Sequence, residues 1–293
     1  MDDRPKRYAK FSNLSKTFSK GEEMKRQGIG FIGGGMMAEA LIRGFLNSKL
    51  YKPTEILVSE PNGERRQCLE EFYGVLTTSE NPTVLQKKIT VILAVKPQVM
   101  EGVLAEIKES VTPNHLLISI AAGLPIKFYE KRLPEGTRLI RIMPNTCAIV
   151  GKAVSVISKG SFALEEDLEF AKRLFSTVGL ALTSEERYMD AVTALSGSGP
   201  AYVALFIEAL ADAGVLVGLP RDLAETLALE TVRGTVELMS QTKKSPYEVK
   251  SMVSSPGGTT IAALEALYEK GFSGVVMSAI KKAYLRSLEL KVE

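Results

Sequence analysis

Apolar residues are distributed along the chain in two regimes. From residue 28 to about 183, short β-rich runs alternate with amphipathic stretches, the pattern of a parallel sheet covered by helices. The predicted strands are residues 29–32, 55–59, 90–95, 116–120, 138–142, 154–157 and 180–182. Several are apolar throughout, as strands buried on both faces should be. Residues 38–47, 64–72 and 165–175 carry helical periodicity between them. After Ser184 the β-rich runs stop. Residues 190–217, 220–241, 246–253, 259–270 and 272–290 read as helices, with Pro220 in a first turn and Gly218, Gly257 and Gly271 at the breaks. The expected fold is α/β over residues 28–184, then all-helical over 185–293, behind a flexible leader of residues 1–27.

Composition narrows the function. The 293 residues are 45% apolar and 24% charged, which argues against a disordered chain. Eight of the 37 Lys and Arg residues lie in the leader with only four acids, so the body is close to neutral. Nucleic-acid binding needs a basic field that displaces phosphate counterions, and this body has none to spare. Cys68 and Cys147 lie far apart without CxxC spacing. A disulfide framework and a Cys-rich zinc site are therefore excluded, and a reducing, cytoplasmic setting is expected. The longest uncharged stretch, residues 191–207, contains Ser196-Gly197-Ser198-Gly199-Pro200 and is a poor membrane span. The leader lacks the apolar core of a secretory signal. It reads as an extension or as sequence upstream of a start at Met24, with Asp2, Asp3, Glu22 and Glu23 counting against a transit peptide. The Ala- and Leu-rich helices 190–217 and 220–241 carry more apolar surface than the helical region can easily hide. A dimer interface is expected, the alternative being an internal helical core.

Gly30-Phe31-Ile32-Gly33-Gly34-Gly35-Met36-Met37-Ala38 is a strand running into GxGxxA and a helix. Gly33 permits the tight turn, Gly35 lets a pyrophosphate approach the backbone, and Ala38 lets the helix pack close to its strand. The positive end of the helix then faces the anion. At the end of the second strand, an acid selects NAD through the ribose hydroxyls, whereas basic or small polar residues accommodate a 2′-phosphate. Both signals are present: Ser59-Glu60-Pro61-Asn62, then Arg65 and Arg66. Two guanidiniums suit a phosphate, or form a solvated helix face. NADPH is the expected cofactor, with NADH as the alternative.

Ala94-Val95-Lys96-Pro97, Ser119-Ile120-Ala121-Ala122-Gly123 and Met143-Pro144-Asn145-Thr146 each end a strand on the side where ligands bind. Lys96 faces either the cofactor or solvent. The small residues at 121–123 either admit a flat ring or serve close helix packing. His115, the single histidine, starts a strand on the opposite side and reads as a surface residue. That argues against the acid–base histidine of lactate- and malate-type dehydrogenases. Cys147 has no His partner to make it a nucleophile. Ser254-Ser255-Pro256-Gly257-Gly258-Thr259-Thr260 precedes a helix; free N–H groups and hydroxyls there suit a carboxylate or constitute a rich cap.

These motifs, together with Ser196-Gly197-Ser198-Gly199-Pro200-Ala201-Tyr202, run in one order from about residue 28 to 290 and resemble the pyrroline-5-carboxylate reductases. The resemblance implies NAD(P)H-dependent reduction of Δ1-pyrroline-5-carboxylate to L-proline. It implies a Rossmann-type domain, then a helical dimerisation domain, with dimers often joined into larger rings. By motif, Ile32, Gly33, Gly34, Gly35, Met36 and Met37 would hold the pyrophosphate, and Ser59 and Glu60 would lie near the adenosine ribose. Asn81, Ala94, Val95, Lys96, Pro97, Ala121, Ala122, Gly123 and Asn145 would line the rest of the cofactor. Ser254, Ser255, Gly257, Gly258, Thr259 and Thr260 would bind the substrate carboxylate, reaching across the dimer, with Thr260 on the ring nitrogen. Cys147 replaces the family's usual proline, and Glu60 stands where small polar residues are common.

Two rivals remain. A β-hydroxyacid dehydrogenase would carry Gly-x-Gly-x-x-Lys-x-x-Asn at the helix start, but here Tyr202 and Leu205 take the Lys and Asn places. A dinucleotide-binding sensor without turnover would keep the glycine loop yet could lose the 254–260 constellation, which this chain retains.

Overall fold

The structure is a computed structural model and describes residues 28–290; the leader lies outside the described residues. An eight-stranded sheet occupies the first half. Its strands are β1 (Ile29–Ile32), β2 (Ile56–Ser59), β3 (Leu76–Thr78), β4 (Thr90–Leu93), β5 (Leu116–Ser119), β6 (Arg138–Met143), β7 (Ala153–Lys159) and β8 (Gly179–Thr183). Their order across the sheet is β3-β2-β1-β4-β5-β6-β7-β8. The order reverses between β1 and β4, which opens a crevice at the carboxyl ends of those strands, where doubly wound sheets bind ligands.

Burial on both faces follows from period-two alternation within apolar strands. In β5, Leu116 and Ile118 enter one core while Leu117 enters the other. Helices α1 (Met36–Asn47) and α6 (Glu165–Ser176) cover the first face through Leu41, Phe45, Leu174 and Phe175. Helices α3 (Asn81–Lys87), α4 (Pro97–Ile107) and α5 (Ile126–Glu130) cover the second through Leu85, Leu104 and Phe128. Helix α2 (Gly63–Tyr73) is capped by Asn62, whose side chain accepts from the Arg65 N–H at 3.1 Å.

Three features differ from the expectation. Strand β3 was not foreseen, because three residues at a sheet edge carry no apolar run. Strands β6 and β7 pair antiparallel in an otherwise parallel sheet. Residues 144–152 form a short turn there, too brief for the crossover that parallel pairing requires. The predicted helix 190–217 is broken into α7 (Met189–Val192), a π-turn (Thr193–Gly197) and α8 (Gly199–Leu216). Pro200 has no N–H with which to bond the Ser196 carbonyl four residues back, so the ladder slips, and the Ser198 N–H donates to Thr193 O at 2.9 Å.

Helices α9 (Arg221–Thr242), α10 (Pro246–Met252), α11 (Thr259–Glu269) and α12 (Phe272–Glu289) complete the chain. Pro220 sits immediately before α9 as its cap rather than inside it. Within one chain this region has almost no core. Ala211, Ala224, Ala228 and Val249 are its buried apolar residues beyond Ala194, whereas Leu205, Leu216, Val217, Val236, Val275 and Met277 are exposed. An internal helical core is thereby excluded, and the exposed apolar face calls for a partner. The helical run Glu186–Leu216 is long and apolar enough to cross a membrane by length and composition, with a mean hydropathy of 1.4. The π-turn and Pro200 interrupt it.

Candidate active site

The parallel register aligns one row of residues across four neighbouring strands. Ile32 lies opposite both Ser59 and Leu93, and Leu93 lies opposite Ser119. The segments that follow (Gly33–Met37, Glu60, Ala94–Pro97 and Ile120–Gly123 in sequence) therefore leave the sheet side by side, about 5 Å apart from strand to strand. The structure thus gathers most of the expected cofactor residues at one crevice.

The glycine loop is fixed by its neighbours. The Gly33 N–H donates to Ser59 O, and the Ala94 N–H donates to Ile32 O, both at 2.8 Å. Gly33 has φ +99°, and a Cβ there would meet Ala94 O at 2.8 Å. Gly35 has open space around the place of its missing Cβ, and it caps α1 without any side-chain hydrogen bond. The first-turn amides of α1 are left to an anion. A glycine at a φ that other residues rarely adopt, a bare one at the approach and an uncapped helix start together fit a dinucleotide pyrophosphate. Met36 projects beside it, 72% exposed.

At the end of β2, the Glu60 carboxylate accepts from the Gly34 N–H at 2.9 Å and the Asn62 N–H at 3.1 Å. Arg65 donates from Nε to Gly34 O at 2.7 Å and pairs with Glu39. Burial pushes the Glu39 carboxyl up, but hydrogen bonds from Tyr73 and Arg65 and the nearby guanidiniums outweigh it and hold the group below its ordinary value. Arg66 donates to the carbonyls of Glu60 and Pro61 at 2.7 and 3.0 Å.

The other expected contact residues have the following surroundings. Ser59 is buried and donates to Asn81 Oδ1 at 2.7 Å, while Asn81 Nδ2 donates to Glu106 at 2.7 Å. Asn145 donates to Ser196 O at 3.1 Å and accepts from the Val154 N–H at 3.3 Å. It takes the carbonyl that Pro200 leaves free. Both asparagines thus hold the crevice's neighbours in place. Lys96 is exposed at the start of α4. A Cβ added at Gly123 would lie 3.5 Å from Leu290, the residue that follows α12.

His115 is buried, correcting the surface expectation: Nδ1 faces the Thr112 N–H and hydroxyl at 2.9 Å, and Nε2 faces Leu85 O at 2.9 Å. Both ring nitrogens serve the fold. Sequence reasoning also missed a polar cluster beneath β5, where Ser119 Oγ and Tyr129 OH share a hydrogen bond at 2.5 Å. Burial pushes the Tyr129 phenol up to about 12, against the opposing effects of Ser119 and Arg141. Nearby, Arg141 pairs with Glu186 at 2.9 Å, and Glu186 also accepts the Ile126 N–H at 2.6 Å. A buried-strand arginine, Arg141 in an apolar run, was the available signal. Among the described residues, no group of three or more His, Cys, Asp or Glu is placed to hold a metal.

The 254–260 segment forms the start of α11. Its hydrogen bonds are local: the Gly258 N–H donates to Ser255 O at 3.1 Å and Ser254 Oγ to Lys250 O at 2.7 Å. Gly258 caps α11 with no side-chain bond. A surface depression beside it is lined by Gly257, Gly258, Ile261, Ala262, Glu265, Tyr268 and Glu269, and by no residue of the sheet region.

A Rossmann-type crevice joined to an apolar helical region defines an NAD(P)-dependent oxidoreductase that assembles through its helices. A family model described as pyrroline-5-carboxylate reductase dimerisation matches residues 186–290, covering the apolar run Glu186–Leu216. A second, described as NADP oxidoreductase coenzyme F420-dependent, matches residues 28–123. A pyrroline-5-carboxylate reductase from Synechocystis sp. is 46% identical over 262 residues, 89% of this chain and 97% of that one. Solved structures agree. A pyrroline-5-carboxylate reductase from Coxiella burnetii superposes with a TM-score of 0.85 at 33% identity, covering 92% of this chain and all of that one. The Plasmodium falciparum pyrroline carboxylate reductase, solved with NADP bound, gives 0.84 at 32% identity over the same shares. The chain belongs to the pyrroline-5-carboxylate reductase family.

Proposed function

We propose that this chain reduces the C=N bond of Δ1-pyrroline-5-carboxylate to give L-proline, the last step of proline biosynthesis, in an active site shared between two subunits. The observation that carries the shared site is the separation of its halves: the glycine loop lies at the sheet crevice, while the 254–260 segment makes only local bonds on an exposed helix start.

When bound, NAD(P)H supplies the hydride. Ile32, Gly33, Gly34, Gly35, Met36 and Met37 hold its pyrophosphate, and Glu60 meets the adenosine ribose with Ser59 and Asn81 fixing the strand end behind it. Ala94, Val95, Lys96, Pro97, Ala121, Ala122 and Gly123 line the remainder, with Asn145 securing the helical region to the rim. Ser254, Ser255, Gly257, Gly258, Thr259 and Thr260 bind the substrate carboxylate through amides and hydroxyls at an uncapped helix start. Thr260 hydrogen-bonds the ring nitrogen, where the product's proton is held. The imine nitrogen is basic enough to take that proton from solvent, so positioning suffices and no histidine is required. The apolar helices seat a second copy and are covered by it in the working enzyme; larger rings, a cytoplasmic location and the absence of nucleic-acid and membrane partners complete the reading.

Thr260→Ala tests it. With pyrroline-5-carboxylate and saturating NADPH or NADH, kcat/KM should fall roughly 10- to 100-fold, with Thr260→Ser restoring part of the loss and the unfolding midpoint unchanged. An unaltered kcat/KM would remove Thr260 from the mechanism.

A further inference from the structure

We infer that this chain takes NADH in preference to NADPH, because the Glu60 carboxylate occupies the place from which the cofactor's 2′ position is read and the neighbouring arginines are engaged elsewhere. The inference rests on the crevice being the dinucleotide site and refines that reading.

Glu60 follows the last residue of β2, and its backbone is fixed because its N–H donates to Thr78 O at 3.0 Å. Its carboxylate is held against the glycine loop by the Gly34 and Asn62 amides. An acid at this position of a doubly wound sheet accepts hydrogen bonds from a ribose 2′-hydroxyl. A 2′-phosphate would instead set two anions against each other. That repulsion could be relieved by a cation, and the start of α2 brings two to this end of the strand. Arg65, however, is bonded to Gly34 O and Glu39, and Arg66 to the carbonyls of Glu60 and Pro61. To reach a 2′-phosphate, Arg65 would have to release both partners, and the phosphate would still face Glu60. The two arginines thus act as struts for the loop that carries the acid.

The experiment titrates the full-length protein with NADH and with NADPH by calorimetry, without substrate, and then compares initial rates on pyrroline-5-carboxylate. Wild type should bind NADH at least about tenfold more tightly, a difference of about 1.4 kcal/mol. Glu60→Gln keeps one oxygen to accept an amide and should shrink that ratio at least about tenfold. Arg65→Ala should weaken both cofactors by similar factors. Equal or tighter binding of NADPH by wild type overturns the inference whatever the variants do. So does an unchanged ratio in folded Glu60→Gln, or a loss confined to NADPH in Arg65→Ala. Binding of neither dinucleotide overturns both this inference and the crevice assignment. Selective NADH binding without imine turnover removes the reductase reading while supporting the selectivity.

Discussion

Two glycines two residues apart in the loop should fail in opposite ways when each is given a methyl group. At Gly33 the backbone has φ +99°, and a Cβ would stand 2.8 Å from Ala94 O, 2.9 Å from Ala94 C and 2.9 Å from Val95 Cγ1. The left-handed conformation costs an alanine about 1–2 kcal/mol, and forcing the end of β4 aside adds about 1–3 kcal/mol. Gly33→Ala should therefore lose about 2–5 kcal/mol and lower the midpoint of thermal unfolding by roughly 4–20 °C. Gly35 is different. Its φ of −68° is open to any residue and nothing lies within 4 Å of the added carbon. Loss of a glycine cap opposes the gain from a stiffer unfolded chain, so Gly35→Ala should stay within about 1 kcal/mol of wild type. Its methyl group projects where the pyrophosphate must come close, so NADH affinity should fall at least about tenfold, or 1.4 kcal/mol. Differential scanning calorimetry of the unliganded proteins and cofactor titration separate the two effects. A Gly33→Ala protein as stable as wild type would refute the strain argument. A Gly35→Ala protein with unaltered NADH affinity would show that the pyrophosphate does not lie over this loop.

Further substitutions probe the polar contacts. Arg141→Met leaves the Glu186 carboxylate facing the Ile126 amide alone and should cost about 2–3 kcal/mol, below the fully buried range because Glu186 remains 31% exposed; urea unfolding reads it. His115→Leu should cost about 1–3 kcal/mol by stripping partners from Thr112 and Leu85, yet leave the pH profile of imine reduction unchanged, since the ring lies outside the crevice. Glu39 is held below its ordinary value of 4.5, so its pairing stabilises the fold above that pH and is lost as pH falls through the lowered value. The difference in unfolding midpoint between wild type and Glu39→Gln should accordingly shrink on acidification below 4.5; a difference that grows would reverse the assignment.

Local chemistry made the nucleotide half of the molecule readable in sequence. Apolar runs such as residues 29–32 and 116–119 can only be buried on both faces, and the spacing of Gly33, Gly35 and Ala38 follows from contacts within a single strand–turn–helix unit. What escaped depends on distant partners or on chain length. The antiparallel entry of β7 is decided by the brevity of residues 144–152, not by the character of the strand. The break in the helix at Thr193–Gly197 was spelled out by Pro200, yet the partner that stabilises it, Asn145, lies about fifty residues away. Asn81 and Asn145 read as cofactor contacts from their motifs alone; the bonds their amides make to Ser59 and Ser196 depend on partners distant in sequence and were not legible.

The same distinction explains why the 254–260 segment carries recognisable chemistry without a visible counterpart. Its serines, threonines and glycines make a helix start without a side-chain cap, which suits an anion, from local sequence alone. In the proposed shared site, the group it faces is supplied by assembly. Apolar residues such as Leu205, Val236, Val275 and Met277 remain exposed on the helices of a single chain, and burying such surface drives association. On that proposal dimerisation is coupled to catalysis: the apolar contact that completes the helical core also sets where the 254–260 segment stands relative to the glycine crevice. Charged substitutions on that surface, such as Val275→Glu, should consequently abolish imine reduction while preserving cofactor binding to the dissociated chain. Size-exclusion chromatography and cofactor titration on the same sample decide it, and an active monomer would refute the shared site.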